Sequence, residues 1–156
     1  MARTDQRAIP IALIVIALVL VAARIVVPLL KSEAPQSQEG IRWLTPAEGL
    51  RLAASSNKPV LFDFTAEWCQ PCHMLDAKVF SEPEVAKAIN ARFIAIRVVD
   101  RRQEEGRNTR EVDELQQRFG VRGYPTVVFA DNTGERARME GFRGREEFER
   151  VMESVR

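Results

Sequence analysis

Val60-Leu61-Phe62-Asp63-Phe64-Thr65-Ala66-Glu67-Trp68-Cys69-Gln70-Pro71-Cys72-His73 carries both cysteines of the chain and its sole histidine. Val60 to Thr65 is an apolar run of strand length, and a helical pattern begins at Gln70. Two thiols at this spacing can close into a small disulfide ring, so they can pass two electrons without large motion. Two other readings fit the same residues. A structural zinc site wants four ligands, and two Cys with one His fall short unless the site is shared between chains. Cys69-Gln70-Pro71-Cys72-His73 also matches the C-x-x-C-H pattern of covalent haem attachment. A cytochrome would usually add a second axial ligand and a helical shell, whereas the residues before Cys69 read as a buried strand.

Outward from this stretch the chain alternates between helical and extended patterns. Thr45-Pro46-Ala47-Glu48 reads as a capping box with Pro at the first helical position. Leu50, Ala53 and Ala54 give that helix an apolar stripe before Asn57 and Pro59 end it. A helix is predicted from Gln70 to near Phe80, and Ser81-Glu82-Pro83-Glu84 restarts one that runs to near Asn90. Phe93 to Val99 is a second buried strand. The charged segment Asp100 to Asn108 is expected to be a surface loop, with Asn108 capping a helix that carries Val112, Leu115 and Phe119 and stops at Gly120. Thr126 to Ala130 is a strand, Asp131-Asn132-Thr133-Gly134 a hairpin turn, and the return strand ends near Gly141. Phe148, Val151, Met152 and Val155 line a last helix. The fold class is therefore α/β, a sheet covered on both faces by helices.

Composition narrows the setting. With 156 residues, 46% hydrophobic, the chain can fill one core and hardly two. Its 23 basic and 22 acidic residues nearly balance, which argues against a nucleic-acid partner. Arg3 and Arg7 precede an apolar run from Ala8 to Leu30, interrupted only by Arg24, Pro10 and Pro28. About 20 apolar residues cross a bilayer, so residues 8–30 read as one N-terminal transmembrane helix, with residues 1–7 cytoplasmic by the positive-inside bias. A cleaved signal peptide ending near Val21-Ala22-Ala23 is the competing reading. The apolar run resumes at Ile25, which favours an uncleaved anchor. Residues 31–42 form a polar linker, and the folded domain occupies 43–156. On either reading the thiols face an oxidising compartment.

Phe62 to Cys72 resembles the active-site segment of the thioredoxin superfamily, which typically carries Gly where Gln70 stands. Tyr124-Pro125-Thr126 resembles the loop whose cis-proline faces the disulfide in that family, and Gly141 falls where a family glycine lines the substrate groove. Val79-Phe80-Ser81-Glu82-Pro83-Glu84-Val85 is similar to the C-terminal domain of DsbD-type disulfide reductases. Membrane-tethered thioredoxin-like proteins of cytochrome c maturation are further relatives, and the sequence does not choose between the two. The charged segment near Arg101 to Asn108 is an insertion relative to compact thioredoxins.

The resemblance implies a thioredoxin fold, a central mixed β-sheet flanked by helices. It also implies a thiol–disulfide oxidoreductase on the periplasmic side of a bacterial inner membrane. Its partners would be disulfide-containing proteins and a membrane electron donor, with no cofactor and no metal. Cys69, at a helix N-terminus, is the expected attacking thiol and Cys72 the resolving one. Asp63 would exchange a proton with Cys72, unless it is simply paired with Lys58 or Lys78. Pro125 is expected in a cis bond, and Trp68, Tyr124, Thr126 and Gly141 to contact substrate. His73 reads as a solvated helix residue and Glu67 as surface charge. Pro71 and Asp63 match reducing members of the superfamily. The alternative class is a non-catalytic binding module, either a haem carrier through Cys69, Cys72 and His73 or an adaptor holding an apoprotein.

Overall fold

Parallel and antiparallel pairing meet on one central strand. In the computed structural model, which describes residues 40–155, β1 (Val60–Ala66) lies parallel to β2 (Ile94–Asp100) and antiparallel to β3 (Thr126–Asp131). β4 (Gly134–Glu140) pairs antiparallel with β3, giving a mixed four-stranded sheet in the order β2-β1-β3-β4. The expectations for residues 1–7, 8–30 and 31–39 fall outside the described residues. Among the described residues no helix is long and apolar enough to cross a membrane.

Strand alternation divides the interior into two cores. Phe62 and Phe64 of β1 join Ile96 and Val98 of β2 beneath α1 (Pro46–Ala54) and α5 (Arg110–Arg118). Leu61 faces the other way and packs with Leu75, Val79, Ile89, Phe129 and Phe148. This second layer is built by α2 (Gln70–Leu75), which continues as a π-helical turn through Asp76–Phe80, by α3 (Pro83–Arg92) and by α6 (Arg145–Glu153). The sheet covered on both faces is as the alternating pattern indicated.

Local chemistry sets the element ends. The capping box at α1 forms, with Thr45 Oγ1 accepting from the Glu48 amide and Glu48 Oε2 accepting from the Thr45 amide. Two expectations are corrected. The charged segment after β2 is not all loop, because Arg102–Glu105 forms a short helix, α4, ended by Gly106 at φ 73°. Thr109, not Asn108, caps α5, its hydroxyl accepting from the Val112 amide. The Asn108 carboxamide is already engaged, accepting from the Arg101 amide at 2.7 Å and donating to Asp100 at 2.9 Å.

Candidate active site

The end of β1 delivers Cys69 to the start of α2. Cys69 is the helix N-cap, and its Sγ accepts from the Cys72 amide at 3.2 Å. Pro71 sits in the first turn, where its missing N–H has no helical partner to lose. Cys69 and Cys72 form a disulfide with Cα atoms 5.3 Å apart. Both are buried, Cys69 to 2% exposure, and they cluster with Ala66 and the ring of Tyr124. The segment that also fits C-x-x-C-H therefore folds with its two sulfurs joined and turned into the protein. His73 points away, donating from its ring to the Glu67 carbonyl at 2.9 Å. Among the described residues no group of three or more His, Cys, Asp or Glu side chains is placed to hold a metal.

The same strand that leads to the thiols carries a buried acid. Asp63 is 2% exposed on the face of β1 that also carries Leu61, the face covered by α2. Its Oδ2 accepts from Arg97 Nε at 2.9 Å, while Oδ1 has no hydrogen-bond partner among the described residues. The parallel register sets Arg97 directly beside Asp63. The partner of the acid is thus Arg97 rather than Lys58 or Lys78, the alternative pairing; Lys58 precedes the strand and donates to the Ala91 carbonyl. Arg97 also binds Asp76, one helical turn after Cys72, and its guanidinium lies 4.2 Å over the Trp43 ring. Burial dominates the acid's titration, pushing Asp63 up to about 7 against the opposing pull of Arg97.

The rim comes from two loops. Trp68 is 49% exposed, and its ring meets that of Tyr124 edge-on with centroids 5.8 Å apart. Tyr124–Pro125 is a cis bond. The Thr126 hydroxyl donates to the Gly123 carbonyl at 2.8 Å, and the Gly141 amide donates to the Pro125 carbonyl at 2.8 Å. Gly141 adopts φ 73°, a backbone state that glycine reaches without strain. Tyr124, Pro125, Thr126, Arg138, Glu140 and Gly141 border a groove of about 560 Å³. The structure thus gathers Cys69, Cys72, Trp68 and Tyr124 into contact, lines the groove with Tyr124, Pro125, Thr126 and Gly141, and sets Asp63 under the thiol helix.

A family model described as a thioredoxin-like domain matches residues 46–156. The chain belongs to the thioredoxin-like family. Among its relatives, the thiol:disulfide interchange protein DsbD of Campylobacter jejuni (strain RM1221) is 30% identical over 89 residues, 56% of this chain but 14% of that protein. DsbD of Vibrio vulnificus (strain CMCP6) is 34% identical over 96 residues, 60% of this chain and 15% of that protein. The chain therefore spans about a seventh of the length of these relatives. A thioredoxin from Thermus thermophilus is 32% identical, covering 74% of this chain and 87% of that one, with a TM-score of 0.62. A DsbH oxidoreductase shares the fold at a TM-score of 0.63 with 23% identity, over 81% of this chain and 92% of that one. The resemblance to thioredoxins and to DsbD is borne out.

Sequence reasoning missed several members of this thioredoxin-like site. Arg97 is the one charge in the apolar run Ile94 to Val99, and Asp76 stands four residues after Cys72, so both signals were present. Gln116, which is buried and donates to the Tyr124 hydroxyl at 2.7 Å, carried none, because a Gln in a predicted helix does not advertise that it is buried.

Proposed function

We propose that the protein is a thiol–disulfide oxidoreductase that uses Cys69 and Cys72 to reduce disulfides in extracytoplasmic proteins. The observation that carries the reading is the Cys69–Cys72 disulfide at the start of α2, with the Cys72 amide aimed at Cys69 Sγ. In the reduced protein that N–H and the helix dipole favour a thiolate on Cys69. The Cys69 thiolate attacks one sulfur of a substrate disulfide, forming a mixed disulfide and releasing the other sulfur as a thiolate. Cys72 then gives its proton towards Asp63 and attacks Cys69 Sγ. The substrate leaves with two thiols, having gained two electrons and two protons, one passed on by Asp63 and one taken from solvent, and Cys69–Cys72 is left as the disulfide. Asp63, with a pKa of about 7, exchanges a proton near neutral pH, as this step requires.

Pro125 and Tyr124 present the substrate strand, and Thr126, Gly141 and Trp68 complete the contact surface. The domain works as a reductant outside the cytoplasm of a bacterium, held to the inner membrane by residues 8–30 and recharged by a membrane electron donor. The neutral Gln70-Pro71 pair supports this direction, since strong oxidants need a cation there to stabilise the reduced thiolate. The test is trapping in cells. Cys72→Ser should accumulate mixed disulfides through Cys69, and Cys69→Ser should not. Equal trapping by both variants, or by neither, overturns the assignment. Alkylation of the thiols with and without the donor pathway reads the direction, and a disulfide that persists in both cases overturns the reductant role.

A further inference from the structure

Asp100 ends β2 at 5% exposure, and its carboxylate is filled with donors. Oδ2 accepts from the Tyr124 hydroxyl at 2.8 Å, from Gln116 Nε2 at 2.9 Å and from Asn108 Nδ2 at 2.9 Å. Oδ1 accepts from the Arg102 amide at 3.0 Å. Gln116 Nε2 also donates to the Tyr124 hydroxyl at 2.7 Å, closing a ring of polar contacts. Asn108 and Arg102 belong to the charged insertion, and Gln116 to α5. A second tie leaves the same insertion, because Arg101 Nη1 meets Glu67 Oε1 at 2.9 Å, next to Trp68. Both walls of the rim are therefore anchored to one segment, although neither anchor touches a sulfur.

We propose that Asp100, braced by Asn108 of the insertion, is a positioning residue that holds the Tyr124 ring against Trp68 and the Cys69–Cys72 disulfide, and so sets the surface on which a protein disulfide docks. The inference rests on the oxidoreductase reading. Cys69 is almost fully covered, so a partner reaches it only across the neighbouring Trp68 and Tyr124. A ring left free would have to be ordered at each encounter, which weakens docking without altering the thiols. Burial by itself would raise the Asp100 pKa, but the donors from Asn108, Gln116, the Arg102 amide and Tyr124 outweigh it and hold the group at about 2. The carboxylate stays charged, and the phenol, itself pushed above its ordinary value by burial and by Asp100, remains a donor.

Tyr124 is the only tyrosine of the chain, so the ultraviolet titration of phenol to phenolate reads this contact alone. The probes are that titration and insulin reduction by the full chain in mild detergent with dithiothreitol as the reductant. In the unaltered protein the phenol should titrate above 10.0, and in Asp100→Asn it should fall back towards that value. Asp100→Asn should raise KM for insulin about ten-fold, the weight of one hydrogen bond to a charged acceptor, with kcat changed by no more than about two-fold. Asn108→Ala, which leaves Asp100 intact, should move both readouts in the same direction by less. Adding Asp100→Asn to Tyr124→Phe should cost little beyond Tyr124→Phe alone, because the two groups act through one contact. An ordinary phenol titration in the unaltered protein, a loss falling on kcat, or fully additive effects would overturn the proposal. If the unaltered chain reduces no insulin, the oxidoreductase reading fails, while the phenol titration still decides whether Asp100 holds Tyr124.

Discussion

Arg97 binds Asp63 through one edge of its guanidinium, Nε to Oδ2 at 2.9 Å, and leaves the acid's second oxygen without a partner among the described residues. The same guanidinium is shared with Asp76 and stacked on Trp43. One cation divided between two carboxylates offsets only part of the cost of burying Asp63. The acid is therefore held near neutrality rather than locked as a permanent anion.

That balance makes stability depend on pH. The folded pKa of Asp63, about 7, lies above the ordinary value of 3.8. The native state holds this proton more tightly than the unfolded chain does. The resulting stabilisation is fully present below pH 3.8 and is lost as pH rises through about 7. Each tenfold difference in proton affinity between the two states is worth about 1.4 kcal/mol. Asp63→Asn should therefore flatten the decline in denaturant stability between pH 3.8 and about 7 and gain about 1–3 kcal/mol at about pH 8. A variant no more stable than the parent at that pH would contradict the assignment.

Arg97→Gln removes the group that opposes protonation of Asp63, so the acid should titrate higher still. The carboxyl carbon of Asp63, followed by nuclear magnetic resonance, should show a midpoint clearly above 7 in this variant. The pH at which mixed disulfides resolve fastest should move up with it. An unchanged midpoint would mean that Arg97 does not govern the acid.

Gly49 lies inside α1, where Ala would normally be favoured by about 1 kcal/mol. A Cβ there would fall within the side chain of Ile96, which is fully buried. Overpacking of this kind costs about 1–3 kcal/mol, so the clash should win and Gly49→Ala should lower the melting temperature. A rise would show that Ile96 can move aside.

Thr45→Ala deletes one half of the capping box at α1 and leaves the Glu48 amide without its acceptor. The expected loss is about 1 kcal/mol in chemical denaturation. Because Leu44, next to Thr45, bridges to β2, the amide protons of Leu44 and Arg97 should exchange faster with solvent in this variant.

Much of this architecture was legible because periodicity and local chemistry agreed. The apolar runs Val60 to Thr65 and Phe93 to Val99 could only be buried strands, and Asp131 to Gly134 had the residues a tight hairpin needs. The thiols, the proline loop and Gly141 could be named because short motifs fix them. What escaped was long-range and polar. Pairing of Asp63 with Arg97 depends on the parallel register of two strands separated by two helices, and register is not written in either strand alone. The cap of α5 went to Thr109 rather than Asn108 because Asn108 had a stronger engagement with Asp100, a tertiary contact invisible to local reading.

The two margins of the sheet are finished differently. Beside β2 the bridge from Leu44 to Ile96 satisfies part of the outer backbone. Among the described residues β4 has no strand beyond it and instead carries Glu135, Arg136, Arg138 and Glu140, with Arg138 tied to both Glu135 and Glu140. A strand from another molecule approaching that margin would have to strip water from a row of mutually satisfied charges. Resistance to stacking into aggregates is thus built into the side of the domain that borders the groove, where crowded copies of the domain would otherwise find a template.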